Sequence, residues 1–237
     1  MSQFISNQKL NDIEFKEGRA VLESRPRSLR AILTNQCNIN CIMCESSFEK
    51  NKFTFSYESI KQVAKLFPYL EAINWQGGEV FLVDYFKRLL EEASAYRNIR
   101  QEIQTNCLLV DDEWAEILAK GNIDLLISID STEEKSYERI RKRGNFEKLI
   151  KNIISLNSFR EKYKSSSCFG LCVCVMRSNY REVERFVEFA KRYNFQRIIF
   201  GVLRGAFVPH EDIFTPLDGE AVGYLRDIMP YVEKRCK

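Results

Sequence analysis

Histidine is almost missing from this chain, with His210 the single example in 237 residues. That scarcity weighs against a Ser/His/Asp hydrolase and against a histidine-rich zinc enzyme, both of which depend on imidazoles. An excess of one charge is missing too. The 36 basic and 33 acidic residues leave a net charge of +3, which offers nucleic acid no dedicated basic surface. No apolar run approaches the roughly 18 residues of a membrane span. The polar start (Ser2, Gln3, Asn7, Gln8, Lys9) has no signal-peptide pattern, so no membrane partner is expected. Long internal repeats and low-complexity segments are absent.

What is present is ordinary for a globular chain: 45% hydrophobic and 29% charged residues. Length alone favours one domain with a sizeable core, and would also permit two small domains. Eight cysteines without a secretion signal point to a reducing, cytoplasmic setting, where thiols bind metal or pack in cores.

Residues 1–24 read as an N-terminal lead-in, with Ile13–Phe15 and Ala20–Leu22 forming a short hairpin around Gly18. Residues 25–237 read as the domain proper, ending in a helix. Strands are expected at 29–33, 71–76, 99–105, 123–130, 168–176 and 197–202. Between them lie helical stripes: Ile60, Val63, Ala64 and Phe67 after a Ser56 cap; Tyr85, Phe86, Leu89, Leu90 and Ala93; Trp114, Ile117 and Leu118. Residues 133–158 read as two helical pieces broken near Gly144, with Phe146, Leu149, Ile150, Ile153 and Ile154 inward. Val183, Phe186, Val187 and Ala190 stripe the next helix. Strands alternating with helices imply a parallel sheet with right-handed crossovers. Six such units fit this length, whereas a full eight-unit barrel takes about 250 residues. The fold class is therefore α/β, a partial, open (β/α)6 TIM-like barrel.

The densest chemistry lies directly after the first strand, in Thr34-Asn35-Gln36-Cys37-Asn38-Ile39-Asn40-Cys41-Ile42-Met43-Cys44. Three thiolates can gather round one small object there. A structural zinc site takes four protein ligands, usually as paired knuckles. A [4Fe–4S] cluster held by three leaves one iron open to something that is not protein. Zinc, or a redox pair, stays the alternative at this point.

The Cys-x3-Cys-x2-Cys spacing, with Asn38 after the first Cys and an apolar-Met pair before the last, resembles the cluster loop of the radical SAM enzymes. The resemblance runs over about residues 20–205, one motif per strand end, and strand C-terminal ends are where parallel barrels place their chemistry. It implies that Cys37, Cys41 and Cys44 ligate the cluster, whose open iron S-adenosylmethionine chelates. Met43 is then placed to touch adenine, although packing is its simpler role. Gly77-Gly78-Glu79, followed by Val80 where the family usually has proline, matches the motif for the methionyl amino group. Asn106 sits in a Thr-Asn-Gly-like turn with Cys107 in place of glycine. Ser128-Ile129-Asp130 resembles the Ser-hydrophobic-Asp motif beside the ribose and carboxylate. Arg141, with Arg143 as second choice, would pair with that carboxylate through a bidentate fork. Asn179 stands where the peptide-modifying subgroup carries an asparagine. That subgroup often continues into a cysteine-rich extension with auxiliary clusters; this sequence has none, as a minimal version or as part of a longer chain.

Taken singly, each motif has a plainer reading: Gly-Gly-Glu as a turn, Ser-Ile-Asp as a helix cap, the asparagines as turn residues, and Arg139–Arg143 as a solvated helix end. Cys168, Cys172 and Cys174 share one strand face, but the first two lie roughly 13 Å apart at about 3.3 Å per residue. They read as barrel lining rather than a second cluster. His210 is a loop residue on the substrate side at best. No catalytic side chain is assigned.

The expectation is thus an enzyme in which one [4Fe–4S] cluster and S-adenosylmethionine generate a 5′-deoxyadenosyl radical that abstracts hydrogen from a substrate. A peptide leads, since a laterally open barrel suits a large substrate, and a nucleotide, sugar or other small molecule follows. A reducing partner such as a flavodoxin or ferredoxin is implied. The reading from another class is a zinc-binding, non-enzymatic interaction module.

Overall fold

The computed structural model describes residues 3–203, 207–215 and 217–236. Along the chain, helix α1 (Gln3–Glu17) precedes strand β1 (Ser28–Ile32), the short strand β2 (Asn40–Cys41) and the one-turn helix α2 (Glu45–Phe48). Helix α3 (Tyr57–Ala64), β3 (Ala72–Gln76), α4 (Phe86–Ser94), β4 (Arg100–Thr105), α5 (Asp112–Lys120) and β5 (Asp124–Ser128) follow. Then come α6 (Glu134–Ile140), the short β6 (Arg141–Lys142), α7 (Phe146–Lys162), β7 (Phe169–Val175), α8 (Val183–Arg192), β8 (Arg197–Val202) and α9 (Gly219–Cys236). The six longer strands form one sheet in the order β1-β3-β4-β5-β7-β8, and the pairs β1/β3, β3/β4, β5/β7 and β7/β8 are parallel. This is the α/β arrangement expected of a (β/α)6 unit, each expected strand lying within one or two residues of its place.

The chain divides into two compact units, Met1–Gln36 with Phe53–Ile103 and Cys37–Lys52 with Gln104–Lys237. In the first, Ile73 and Trp75 of β3 are buried, and the Trp75 indole N–H donates to Gln101 Oε1 at 2.9 Å. Phe86, Leu89, Leu90 and Ala93 form the buried stripe of α4. Ser56 caps α3 by accepting from the Ser59 N–H at 3.3 Å. That helix stops at Ala64; Phe67, read as its last stripe residue, belongs to a separate 3₁₀ turn, Phe67–Tyr69, in which Pro68 sits.

The N-terminal hairpin is not formed; residues 3–17 are a helix. Gly18 takes the left-handed conformation (φ +63°), and the Arg19 N–H donates to Glu14 O at 3.0 Å, a Schellman-type helix end. One glycine at positive φ serves a hairpin turn or a helix C-cap equally well, which is why the local signal misled. Nor does α1 carry an apolar stripe. Its buried residues are Asn7 and Glu14, which bind the returning chain: Glu14 Oε1 accepts from the Glu23 N–H at 2.7 Å, and Asn7 Oδ1 from the Arg25 N–H at 2.7 Å.

In the second unit the core lies along β5 and β7, with Leu125, Ile127 and Leu171 fully buried, each side chain contributing about 1.5–3 kcal/mol. Asp111 caps α5 and Asn145 caps α7. The inward face of α7 is Leu149, Asn152, Ile153, Leu156 and Arg160. Ile154, expected inward, is exposed, because the helix turns its stripe one position on from the apolar pair.

Candidate functional site

Cys37, Cys41 and Cys44 belong to the second unit. The centre of their loop is fastened by a short antiparallel ribbon in which Cys41 pairs with Arg141 and Asn40 with Lys142, extended by Ile42 N–H donating to Ile140 O at 2.9 Å. The ribbon exists because α6 ends at Ile140 and the chain turns back at once, Gly144 N–H donating to Arg141 O at 2.7 Å. After the ribbon Cys44 N–H donates to Cys41 O at 3.3 Å, and Cys44 leads into α2.

Arg141 is buried. Its Nη2 lies 2.7 Å from Asp130 Oδ2, and its Nη1 donates to Cys41 Sγ at 3.7 Å. Burial opposes the charge on Arg141, but the Asp130 carboxylate and the Cys41 sulfur outweigh it, and its pKa is raised. Asp130, fully buried just beyond β5, also accepts the Cys174 N–H at 2.8 Å. Burial pushes the Cys41 thiol up to about 11, against the lowering effect of Arg141.

At the first cysteine, Asn106 Nδ2 donates to Asn38 Oδ1 at 2.8 Å and lies 3.7 Å from Cys37 Sγ. Asn106 is held by its own Oδ1, which accepts the Leu108 N–H at 3.0 Å. Cys107, where the resemblance leads one to expect glycine, nonetheless adopts positive φ (+64°); its N–H donates to Thr105 Oγ1 and its carbonyl accepts from Asn152 Nδ2 at 2.8 Å.

Met43 packs with Ile42 and Cys174 against Ile140, Met176, Leu203 and Val208. Ser128, half-buried, ends β5 opposite Cys172 of β7. Asn179 is buried and joins two strand exits, Nδ2 donating to Asp130 O and to Cys174 O at 2.9 Å each. Burial pushes Cys172 up and Cys174 to about 12. His210 is exposed, and its carbonyl accepts from Arg177 Nε; Arg204–Ala206, upstream in the same loop, lie outside the described residues.

Gly77-Gly78-Glu79 belongs to the first unit. Its glycines are required by close backbone approach, although to the protein's own chain. Gly78 N–H donates to Thr34 O at 2.6 Å and Glu79 N–H to Gln36 O at 2.8 Å. A Cβ on Gly77 (φ +148°) would fall 2.3 Å from Thr34 O, and one on Gly78 2.0 Å from Gln36 O. Glu79 is fully buried.

The structure thus brings Asn106 to Cys37, and Asp130 and Arg141 to Cys41. The three thiols do not converge: among the described residues no three His, Cys, Asp or Glu side chains are grouped to hold a metal ion. The donor set still fits an iron–sulfur cluster. Three soft thiols on one short loop, none of them in a disulfide, have N–H donors at two of the sulfurs. Tyr137, which the sequence does not single out, is also close by: fully buried, with its hydroxyl unpartnered and its pKa raised by burial. It reads in sequence as one more inward residue of α6.

The sequence profile of the Radical SAM superfamily matches residues 31–190. This chain belongs to the Radical SAM superfamily. Among curated proteins, the cysteine-type anaerobic sulfatase-maturating enzyme of Clostridium novyi is 24% identical over 187 residues, covering 70% of this chain and 48% of that protein. The GTP 3′,8-cyclase of Synechocystis sp. is 26% identical over 188 residues, covering 76% of this chain and 55% of the cyclase. The chain spans about half the length of these relatives. Among solved structures, Streptococcus suis SuiB superposes with a TM-score of 0.72 at 17% identity, covering 96% of this chain and 51% of that one. SuiB bound to the precursor peptide SuiA gives 0.68 at 19% identity over 96% of this chain and 50% of that one. At such identities the likeness is one of Radical SAM fold. No helix among the described residues is long and apolar enough to cross a membrane.

Proposed function

We propose that this chain is a radical SAM enzyme module in which Cys37, Cys41 and Cys44 hold one [4Fe–4S] cluster and a peptide is the substrate. Its main support is the superfamily match, which spans the three cysteines, Gly77–Glu79, Asp130 and Arg141. When bound, the cluster and S-adenosylmethionine supply a 5′-deoxyadenosyl radical able to take hydrogen from a substrate. The protein's own part is to bind and orient. Asn106 and Arg141 direct N–H groups at Cys37 and Cys41, donors that would hydrogen-bond the sulfurs once they ligate metal. Gly77–Glu79 offers a buried carboxylate for the methionyl ammonium, Ser128 and Asp130 the polar edge for ribose and carboxylate, Arg141 a cation for that carboxylate, and Met43 an apolar surface for adenine.

One cluster is assigned, because Cys172 and Cys174 lie along strand β7, where Cys174 packs against the apolar cluster of Ile140 and Met176. A low-potential donor of the flavodoxin or ferredoxin type supplies the electron, in a cytoplasmic setting that keeps the thiols reduced.

The peptide reading draws on the sulfatase-maturating relative and on the SuiB structure that holds a precursor peptide. A small-molecule substrate is the second reading, favoured by comparable identity to GTP 3′,8-cyclases. Anaerobic iron–sulfur reconstitution should give a brown, oxygen-sensitive protein that converts S-adenosylmethionine to 5′-deoxyadenosine under a strong reductant. Cys41→Ala should lose both properties. A colourless protein retaining zinc would instead identify an interaction module. Deuterated candidate peptides and nucleotides, scored by deuterium in 5′-deoxyadenosine, separate the two substrate classes.

A further inference from the structure

We infer that Arg141, backed by Asp130, is a positioning residue for the Cys41 ligand and sets how readily the cluster accepts an electron, beyond any contact it makes with S-adenosylmethionine. The assignment rests on the triad holding a cluster. Three observations converge on it.

The backbone places Arg141 directly opposite Cys41 in the two-residue ribbon, so the arginine is in register with one ligand of the triad and with no other. Its guanidinium is divided between two partners, Nη1 toward Cys41 Sγ at 3.7 Å and Nη2 toward Asp130 Oδ2 at 2.7 Å. A residue reserved for a ligand carboxylate would present its fork to open space; Arg141 is 6% exposed and Asp130 0%. Finally, two buried polar atoms without hydrogen-bond partners lie on this one group of side chains, Arg141 Nε and the Tyr137 hydroxyl, whereas Asp130 Oδ2 is met by Arg141 Nη2. The electrostatic surroundings of Tyr137 include Arg141, Cys41 and Asp130, so these belong to one buried polar nest. Both unpartnered atoms are donors, on side chains that interact with Cys41, and donors are costly to leave buried and unsatisfied, so they suit a place where negative charge is to be received.

The chemistry is a one-electron step: one electron from a low-potential donor enters the cluster, no bond is made or broken, and the negative charge on the cluster and its thiolates increases by one. A guanidinium donating to the ligating sulfur stabilises that extra charge, and hydrogen bonds to cluster sulfurs are among the determinants of potential. Asp130 opposes it and keeps the arginine oriented. The two residues should therefore shift the potential in opposite directions.

The test is an electron paramagnetic resonance-monitored redox titration of the reconstituted holoprotein without S-adenosylmethionine. It compares wild type, Arg141→Lys, Arg141→Met and Asp130→Asn after iron and sulfide have been counted. The Arg141 variants should titrate at more negative potential and Asp130→Asn at more positive potential. A variant that keeps the wild-type circular dichroism but loses iron would likewise support a ligand-positioning role. If Arg141→Met fails to fold, Arg141→Lys and Asp130→Asn carry the comparison. Unchanged potentials in fully loaded variants, with only weaker S-adenosylmethionine binding by calorimetry, would overturn the inference and leave Arg141 a carboxylate clamp. Failure of wild type to take up iron and sulfide at all would instead sink the underlying cluster assignment.

Discussion

Replacing Gly78 with alanine places a methyl group where the chain has no room. Its Cβ would stand 2.0 Å from Gln36 O and 2.5 Å from Gln36 C, more than 1 Å inside ordinary contact, and the obstacle is backbone rather than a side chain that could swing away. Relief requires the strand exit and the Thr34–Gln36 stretch to separate. That breaks Gly78 N–H to Thr34 O and Glu79 N–H to Gln36 O, each worth about 1 kcal/mol net. Overpacking strain adds about 1–3 kcal/mol, for a loss of about 3–5 kcal/mol, a large share of the about 5–15 kcal/mol that holds an ordinary domain together. Urea unfolding of the metal-free protein reads this directly as a lowered midpoint at unchanged slope. The internal control is Gly223→Ala in α9, where nothing lies within 4 Å of the new methyl. There alanine's helix propensity should raise stability by up to about 1 kcal/mol. Gly78→Ala unfolding within about 0.5 kcal/mol of wild type would refute the backbone-contact reasoning, as would a Gly223→Ala loss of similar size to the Gly78 loss.

Asp130→Ala leaves a buried arginine without its carboxylate and should cost about 3–5 kcal/mol in chemical denaturation, much of it restored when Arg141→Met is added. Glu14 titrates below the ordinary carboxylate range because of its hydrogen bonds, that with Ser24 first, opposed by burial. A depressed folded pKa contributes stability above the unfolded value that is lost as pH falls through the folded one, so Glu14→Gln should flatten the acid limb of a stability–pH curve. For Cys174 the sign reverses: burial raises its pKa to about 12, so its contribution is complete below the usual thiol value and is lost as pH rises toward 12. At pH 8, iodoacetamide should therefore reach Cys174 only after unfolding, and peptide mapping of the alkylated protein checks this.

The sheet was legible because β5 and β7 are near-continuous apolar runs, the mark of strands buried on both faces. Helix α1 was not, because Asn7 and Glu14 hold it by polar contacts to a chain segment about ten to twenty residues away, and no periodicity encodes that. At the site, spacing revealed the cysteines but not their neighbours' geometry. Asn106 reaches Cys37 across 69 positions and Arg141 reaches Cys41 across 100. Such pairings follow from register, which only the folded chain displays. Tyr137 was hidden for the opposite reason, looking like any buried aromatic while carrying a hydroxyl with no partner.

The seam between Gly77-Gly78 and Thr34–Gln36 bears on how relatives should be sorted. Because the glycines answer to the polypeptide's own crowding, a descendant that had discarded its thiols would still need them in order to fold. A scan keyed to Gly-Gly-Glu would gather inert members with active ones; scoring Cys37, Cys41 and Cys44 beside it would tell the two apart.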